Sequence, residues 1–217
     1  MAKVKLENIL LGVLLQHPQT GYELQRFMET TGRFMRANTS MTQVYRSLRR
    51  MDEDGLLVHE IEPRTGAKDA KRYRLTELGR EVFFRWLREP YRPGQLPGGS
   101  DFSVLLRFRA QYLGRHAALE LLDNEIAFRR RQIARNRHRD RTEWFVPEAP
   151  LDVELTGAIM NWEHHRGAAR MDQHLAAAIE LRELLAAGEL PRSAYPNPLQ
   201  PASELDEPYL SDAEESA

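Results

Sequence analysis

Two four-residue signals, Thr20-Gly21-Tyr22-Glu23 and Ser40-Met41-Thr42-Gln43, constrain this chain more than any other feature. In each, a hydroxyl residue stands three positions before a Glu or Gln. The hydroxyl can accept from the third backbone amide while the longer side chain reaches back to the amide of the capping residue. That reciprocity satisfies amides that every helix start leaves unpaired, so it marks two closely spaced helix starts.

The surrounding pattern supplies the remaining elements. Leu6, Ile9, Leu10, Val13 and Leu14 recur at helical spacing and stop before Pro18, which predicts a largely buried first helix over residues 4–15. The second helix should run from Thr20 to about Thr31, and the third from Ser40, with Val44, Leu48 and Met51 on one face and Gly55 at its end. Residues 56–61 and 71–75 read as short strands, joined by a segment in which Pro63 and Gly66 suit a turn. Thr76 then caps a fourth helix, Glu77 to about Arg88, carrying Leu78, Val82, Phe83 and Trp86. Three helices, a hairpin and a helix form the winged helix-turn-helix order.

After Glu89 the stretch PYRPGQLPGGSD holds too much Pro and Gly for a regular element and reads as a boundary. Three helical patterns follow, from Phe102 to Leu113, His116 to about Arg141, and Leu151 to Ala187. The expected fold is mainly α with a small β-hairpin: an N-terminal winged helix-turn-helix plus a C-terminal antiparallel helical dimerisation arm. The division is 1–90 for the DNA-binding unit, 91–100 for the linker, 101–188 for the helical dimerisation and effector unit, and 189–217 for an acidic, Pro-rich tail.

A formal net charge of -1 argues at first against a nucleic-acid partner, but the average hides an asymmetry. Residues 1–90 hold 16 Lys and Arg against 12 Asp and Glu, whereas residues 189–217 hold 1 against 7. The chain has no cysteine, which excludes disulfides and thiolate metal sites. The longest apolar run, Ile9 to Leu15, is far short of a membrane span and no signal pattern opens the sequence, so a cytoplasmic location without a membrane partner is expected. His164, His165 and His174 lack the i, i+4 spacing of helix-borne metal ligands, and Gly98-Gly99 lacks a phosphate-binding context. No metal, cofactor or enzymatic activity is expected.

With Val44, Leu48 and Met51 turned inward, Thr42, Gln43, Arg46, Arg49 and Arg50 face outward from the third helix. Gln can pair bidentately with adenine, Arg with guanine, and Thr can meet a phosphate or a thymine methyl. Arg64, Lys68, Lys71 and Arg72 would form the basic wing, acting mainly on phosphates. Tyr22 has two open readings, a phosphate contact through its hydroxyl or plain core packing.

The runs ILLGVLLQHPQTGYEL, QVYRSLRRMDEDGLL and KRYRLTELG, in that order, make the first 85 residues similar to the PadR family of transcription factors. The resemblance implies a winged-helix homodimer that reads an inverted repeat in double-stranded DNA, commonly as a repressor released by a small effector. It carries DNA contact onto Tyr22, Ser40, Thr42, Gln43, Tyr45, Arg46 and the wing cations. Where the family often has Tyr-Pro this chain has Tyr45-Arg46, which adds a cation.

In the last helix Leu155, Ile159, Trp162, Ala169, Ala176 and Ile179 form an apolar stripe whose small residues allow close approach, pointing to burial between two copies. Arg129, Arg130, Arg131, Arg135, Arg137, Arg139 and Arg141 read either as a solvated, acid-paired helix face or as a second DNA-backbone contact. Trp144, Phe145 and Trp162 could line a pocket for a small, aromatic effector or simply pack an interface. The leading expectation is an effector-responsive dimeric repressor. The alternative is a helical interaction or ligand-carrying protein that keeps the winged-helix shape without sequence-specific DNA binding.

Overall fold

The computed structural model describes residues 3–63, 69–138 and 150–190. In chain order it contains α1 (Leu6–Leu14), β1 (Gln19–Thr20), α2 (Gly21–Glu29), a 3-10 turn (Thr31–Phe34), α3 (Met41–Glu53), β2 (Leu57–Glu62), β3 (Ala70–Leu75), α4 (Glu77–Leu87), α5 (Ser100–Tyr112), α6 (Arg115–Asn136) and α7 (Val153–Ala186). Mainly helical structure with a small antiparallel sheet was expected, and it is found.

Both capping boxes form. Thr20 accepts from the Glu23 amide at 3.2 Å and the Glu23 carboxylate accepts from the Thr20 amide at 2.6 Å. The Ser40 and Gln43 pair repeats the exchange at 3.3 and 3.1 Å. Gly55, with a φ of 71°, ends the turn after α3 in the left-handed region that glycine tolerates. The hairpin pairs Leu57 with Leu75 and His59 with Tyr73. A third strand, β1, pairs Gln19 with Tyr73, giving the order β1-β3-β2. Two residues show no periodicity, so this strand had no sequence signal.

Val44, Leu48 and Met51 share one buried core with Ile9, Leu10 and Val13 of α1, Leu24 and Met28 of α2, and Phe83 and Leu87 of α4. Leu78, read as part of the apolar pattern of α4, is exposed instead. The junction from α3 to α4 depends on close backbone approach. Thr76 donates to the Gly55 and Leu56 carbonyls, and a Cβ on Gly79 would lie 2.1 Å from the Leu56 oxygen.

The same core continues into the arm. Phe108 of α5 sits in a notch at Gly12, where an added Cβ would meet its ring at 2.5 Å, and the Tyr112 hydroxyl donates to the Gly12 carbonyl. Phe83 packs edge-on against Phe108 and Tyr112. Arg109 donates to the carbonyls of Leu87 and Glu89, which the end of α4 leaves without helical partners.

Residues 91–99 have no regular structure but are tied to α6 at Tyr91 and at Gly94, Gln95 and Leu96. Tyr91 is buried and donates to Glu125, while Asn124 donates to the Tyr91 carbonyl. Arg129 donates to Gly94, Gln95 and Leu96 carbonyls as well as to Glu125 and Gln132. The reading of Arg129 as one of a solvated row is therefore corrected: it is 1% exposed. Arg137 pairs with Asp172, Arg130, Arg131 and Arg135 are exposed, and Arg139 and Arg141 lie outside the described residues.

Helices α6 and α7 run antiparallel, tied by Asp123 to Arg182, Glu125 to His174 and Arg137 to Asp172. At 34 residues, α7 is about 50 Å long. Residues from 191 onward, almost all of the acidic tail, lie outside the described residues.

Two stability predictions follow from these close contacts. Gly79→Ala forces a methyl into the Leu56 carbonyl and should cost about 1–3 kcal/mol. Urea unfolding at fixed protein concentration reads the loss, and an unchanged midpoint refutes the packing assignment. Glu125→Leu leaves the buried Arg129 and the half-buried His174 without their carboxylate and should cost about 3–5 kcal/mol in the same assay. A loss below about 1 kcal/mol would show that the charge pair does not hold the strap.

Candidate nucleic-acid interface

The helix α3 divides cleanly between buried and exposed residues. Val44, Ser47, Leu48 and Met51 are buried, while Ser40, Thr42, Gln43, Tyr45, Arg46, Arg49 and Arg50 are exposed. Arg49 pairs with Glu53 at 3.0 Å and Arg50 with Asp54 at 3.9 Å, all four side chains largely in solvent. Such pairs are worth at most about 1 kcal/mol and exchange readily for a phosphate. Arg46 has no ion-pair partner among the described residues. One lone pair of the Gln43 carbonyl oxygen is committed to the Ser40 amide, so bidentate pairing with adenine would draw on the other, while the amide nitrogen donates to no residue of the cap.

Tyr22 is 57% exposed, which removes the core-packing alternative for its side chain. Tyr45, 42% exposed, lays its ring against Gly21, where a Cβ would approach it within 2.6 Å. The absence of a side chain at Gly21 thus seats α3 against the start of α2. Tyr22, Tyr45, Arg49, Asp52, Lys71 and Tyr73 line a cleft of about 830 Å³ between these helices and the sheet. Its floor is braced by Asp52, which holds His59 of β2 at 2.9 Å.

The wing cations separate into different environments. Lys71 is exposed, and Arg64 and Lys68 lie outside the described residues. Arg72 is not free: its guanidinium donates to Glu62 at 2.7 Å, to the Pro18 carbonyl at 3.0 Å and to Glu23 at 3.4 Å. The Glu62 hydrogen bond raises the pKa of Arg72. The Glu23 carboxyl is held below its ordinary range, first by the Thr20 amide and further by Arg72. Arg72 therefore braces β3 against β2 and the start of α2. Its three acceptors come from separate segments, so nothing local in the sequence distinguished this brace from a wing contact.

On the arm, Leu155, Ile159 and Trp162 are 59%, 51% and 58% exposed, and Ala169 and Ala176 are exposed as well. Ile179 is half-buried and packs against the core of its own chain. Trp162 carries the Arg166 guanidinium over its ring. Beside it, a cavity of about 190 Å³ between α6 and α7 is lined by Ile133, Arg137, His164 and Met171, not by Trp162. Trp144 and Phe145 lie outside the described residues.

The sequence reading missed the buried set of Tyr91, Glu125 and Arg129 and the half-buried His174 that joins it. Its one local trace is the i, i+4 spacing of Glu125 and Arg129 in an otherwise apolar stretch. Among the described residues no helix is long and apolar enough to cross a membrane.

Known proteins resemble this chain to different extents. The sequence pattern of the transcriptional regulator PadR-like family matches residues 10–85. A probable transcriptional regulator of Mycobacterium tuberculosis is 31% identical over 121 residues, which cover 52% of this chain and 63% of that protein. The chain thus matches less than two thirds of the length of that relative. Among solved structures, the smu.1604c protein of Streptococcus mutans has 18% identity and a TM-score of 0.40, over 85% of this chain and 98% of the other. Bacillus subtilis PadR, solved in complex with operator DNA, has 15% identity and a TM-score of 0.40, over 82% and 97%. The family pattern and the mycobacterial relative are both described as transcriptional regulators. Residues 10–85 are similar to the transcriptional regulator PadR-like family.

Proposed function

We propose that this chain is a DNA-binding transcriptional regulator that acts as a homodimer on an inverted-repeat operator. The observation that carries the reading is the division of α3. Val44, Leu48 and Met51 are consumed by the core, and Thr42, Gln43, Arg46, Arg49 and Arg50 are left in solvent on a helix capped and seated within the PadR-like segment. Short helices with this division are presented to the major groove in helix-turn-helix proteins, where the outer side chains meet base edges and phosphates. Tyr22 and Lys71, across the adjacent cleft, suit contacts to the flanking backbone.

Dimerisation is supported by the exposed stripe of Leu155, Ile159 and Trp162. Covering each large apolar side chain is worth on the order of 1.5–3 kcal/mol, and a second copy supplies the same stripe in return. Two α3 helices in such a dimer read half-sites about 34–36 Å apart. Repression, with release by a small effector, completes the proposal on the strength of the family resemblance.

Selection from a random duplex pool at physiological salt should enrich an inverted repeat, and recovery of no preferred sequence by folded protein sinks the proposal. On the enriched duplex, Arg46→Ala should cost about 1–3 kcal/mol and relax preference at one base position. An equal loss on matched and scrambled duplexes would assign Arg46 to the backbone instead. In sedimentation, wild type should run as a dimer and Ile159→Asp/Trp162→Asp as a monomer. A wild-type mass that stays monomeric at all concentrations overturns the dimer.

A further inference from the structure

Helix α3 has a second cleft, on the side away from the sheet. Lys3 and Lys5 come to it from the segment before α1, Arg36 from the stretch between α2 and α3, and Gln43, Arg46 and Ser47 from α3 itself. Four cations from three separate segments thus surround one cleft of about 390 Å³. The carboxylate that also lines it, Glu7, accepts from the Ser47 hydroxyl at 3.3 Å. Lys3, Lys5, Arg36 and Arg46 are all exposed, and among the described residues none of them has an ion-pair partner.

The position of this cleft gives it meaning. The sheet-side cleft touches α3 at Tyr45, Arg49 and Asp52, and the second touches it at Gln43, Arg46 and Ser47. At about 100° per residue, the two sets lie roughly 150° apart around the helix, with Thr42 and Arg46 between their centres. A helix lying in a major groove about 12 Å wide has a sugar-phosphate backbone on each flank. Tyr22 and Lys71 serve one flank; the opposite one is where Lys3, Lys5 and Arg36 converge.

We infer that the Lys3-Lys5-Arg36 cleft is a seat for a DNA backbone phosphate on the strand opposite the wing. This rests on the proposed DNA-binding role and adds a second anchoring site to it. Clamping both backbones fixes the depth and roll of α3 in the groove, so the cleft positions the helix without reading bases. Arg46, at the border of cleft and groove, belongs to both surfaces.

The test uses the full chain and the duplex enriched from the random pool, with Lys5→Gln/Arg36→Gln as the variant and Arg170→Gln, on the exposed face of α7, as the control. Loss of one phosphate contact per half-site, two per dimer, should make the slope of log affinity against log salt shallower by about 2, with equal weakening on matched and scrambled duplexes. Arg170→Gln should leave the slope unchanged. A scan of single neutral methylphosphonate linkages should find one position per half-site that weakens wild type and leaves the double variant unaffected. If wild type binds and the double variant keeps both its slope and its linkage profile, the phosphate seat is overturned while the DNA-binding role stands. A changed base preference in the double variant overturns the assignment to phosphate. Failure of wild type to bind any duplex overturns both.

Discussion

The burial of the Arg129 guanidinium is the constraint on which the relation between the two halves of this molecule depends. A charge removed from water costs several kcal/mol unless its hydrogen-bonding capacity is met. Here five oxygens meet it: the Glu125 carboxylate, the Gln132 amide and the Gly94, Gln95 and Leu96 carbonyls. Three of these belong to the strap between α4 and α5, so the strap cannot leave α6 without stranding a buried cation. Glu125 in turn holds Tyr91 and His174, and thereby the start of the strap and the middle of α7. Burial and the neighbouring carboxylate both disfavour ionisation of Tyr91, which keeps its hydroxyl a donor to Glu125.

Helix α1 links this arrangement to the surface of α3. On one side Gly12 admits Phe108 and accepts from Tyr112, which ties α1 to the arm. On another, Ile9, Leu10 and Val13 share a core with Val44, Leu48 and Met51, and Glu7 accepts from Ser47. The exposed residues of α3 are therefore referenced, through one nine-residue helix, to the same packing that orients the arm. Interiors packed at crystal-like density transmit displacement rather than absorb it. The notch at Gly12 is accordingly a place where a methyl group would alter both ends at once.

What the sequence disclosed and what it concealed divide by the range of the interaction. Both capping boxes, the Thr76 cap and the end of α3 at Gly55 were legible because cause and effect lie within a few residues. The buried side of α3 was legible because helical geometry repeats. The strand at Gln19–Thr20, by contrast, exists only through pairing with residues more than fifty positions away. Arg72 looked like a wing cation because its partners, Pro18, Glu23 and Glu62, are distant in sequence. Arg129 looked solvated because it stands in a row of arginines, and the carbonyls that bury it are 33 to 35 residues upstream. Of the surface proposed to meet DNA, the α3 residues were readable from periodicity. The clefts on either side of it were not, since each is assembled from separate segments.

That assembly resolves the apparent conflict between a chain of net charge -1 and a nucleic-acid partner. At physiological salt a charge is felt over only about 8 Å, so the total for the chain says little about the field at one face. What counts is the local company each cation keeps. Arg72 and Arg137 are matched by carboxylates, and Arg129 is consumed by the interior. Arg46, with Lys3, Lys5 and Arg36, faces a cleft containing a single carboxylate that already has a hydroxyl partner. Of two arginines counted alike in the composition, Arg72 thus builds the scaffold, while Arg46 remains available to a phosphate or a base.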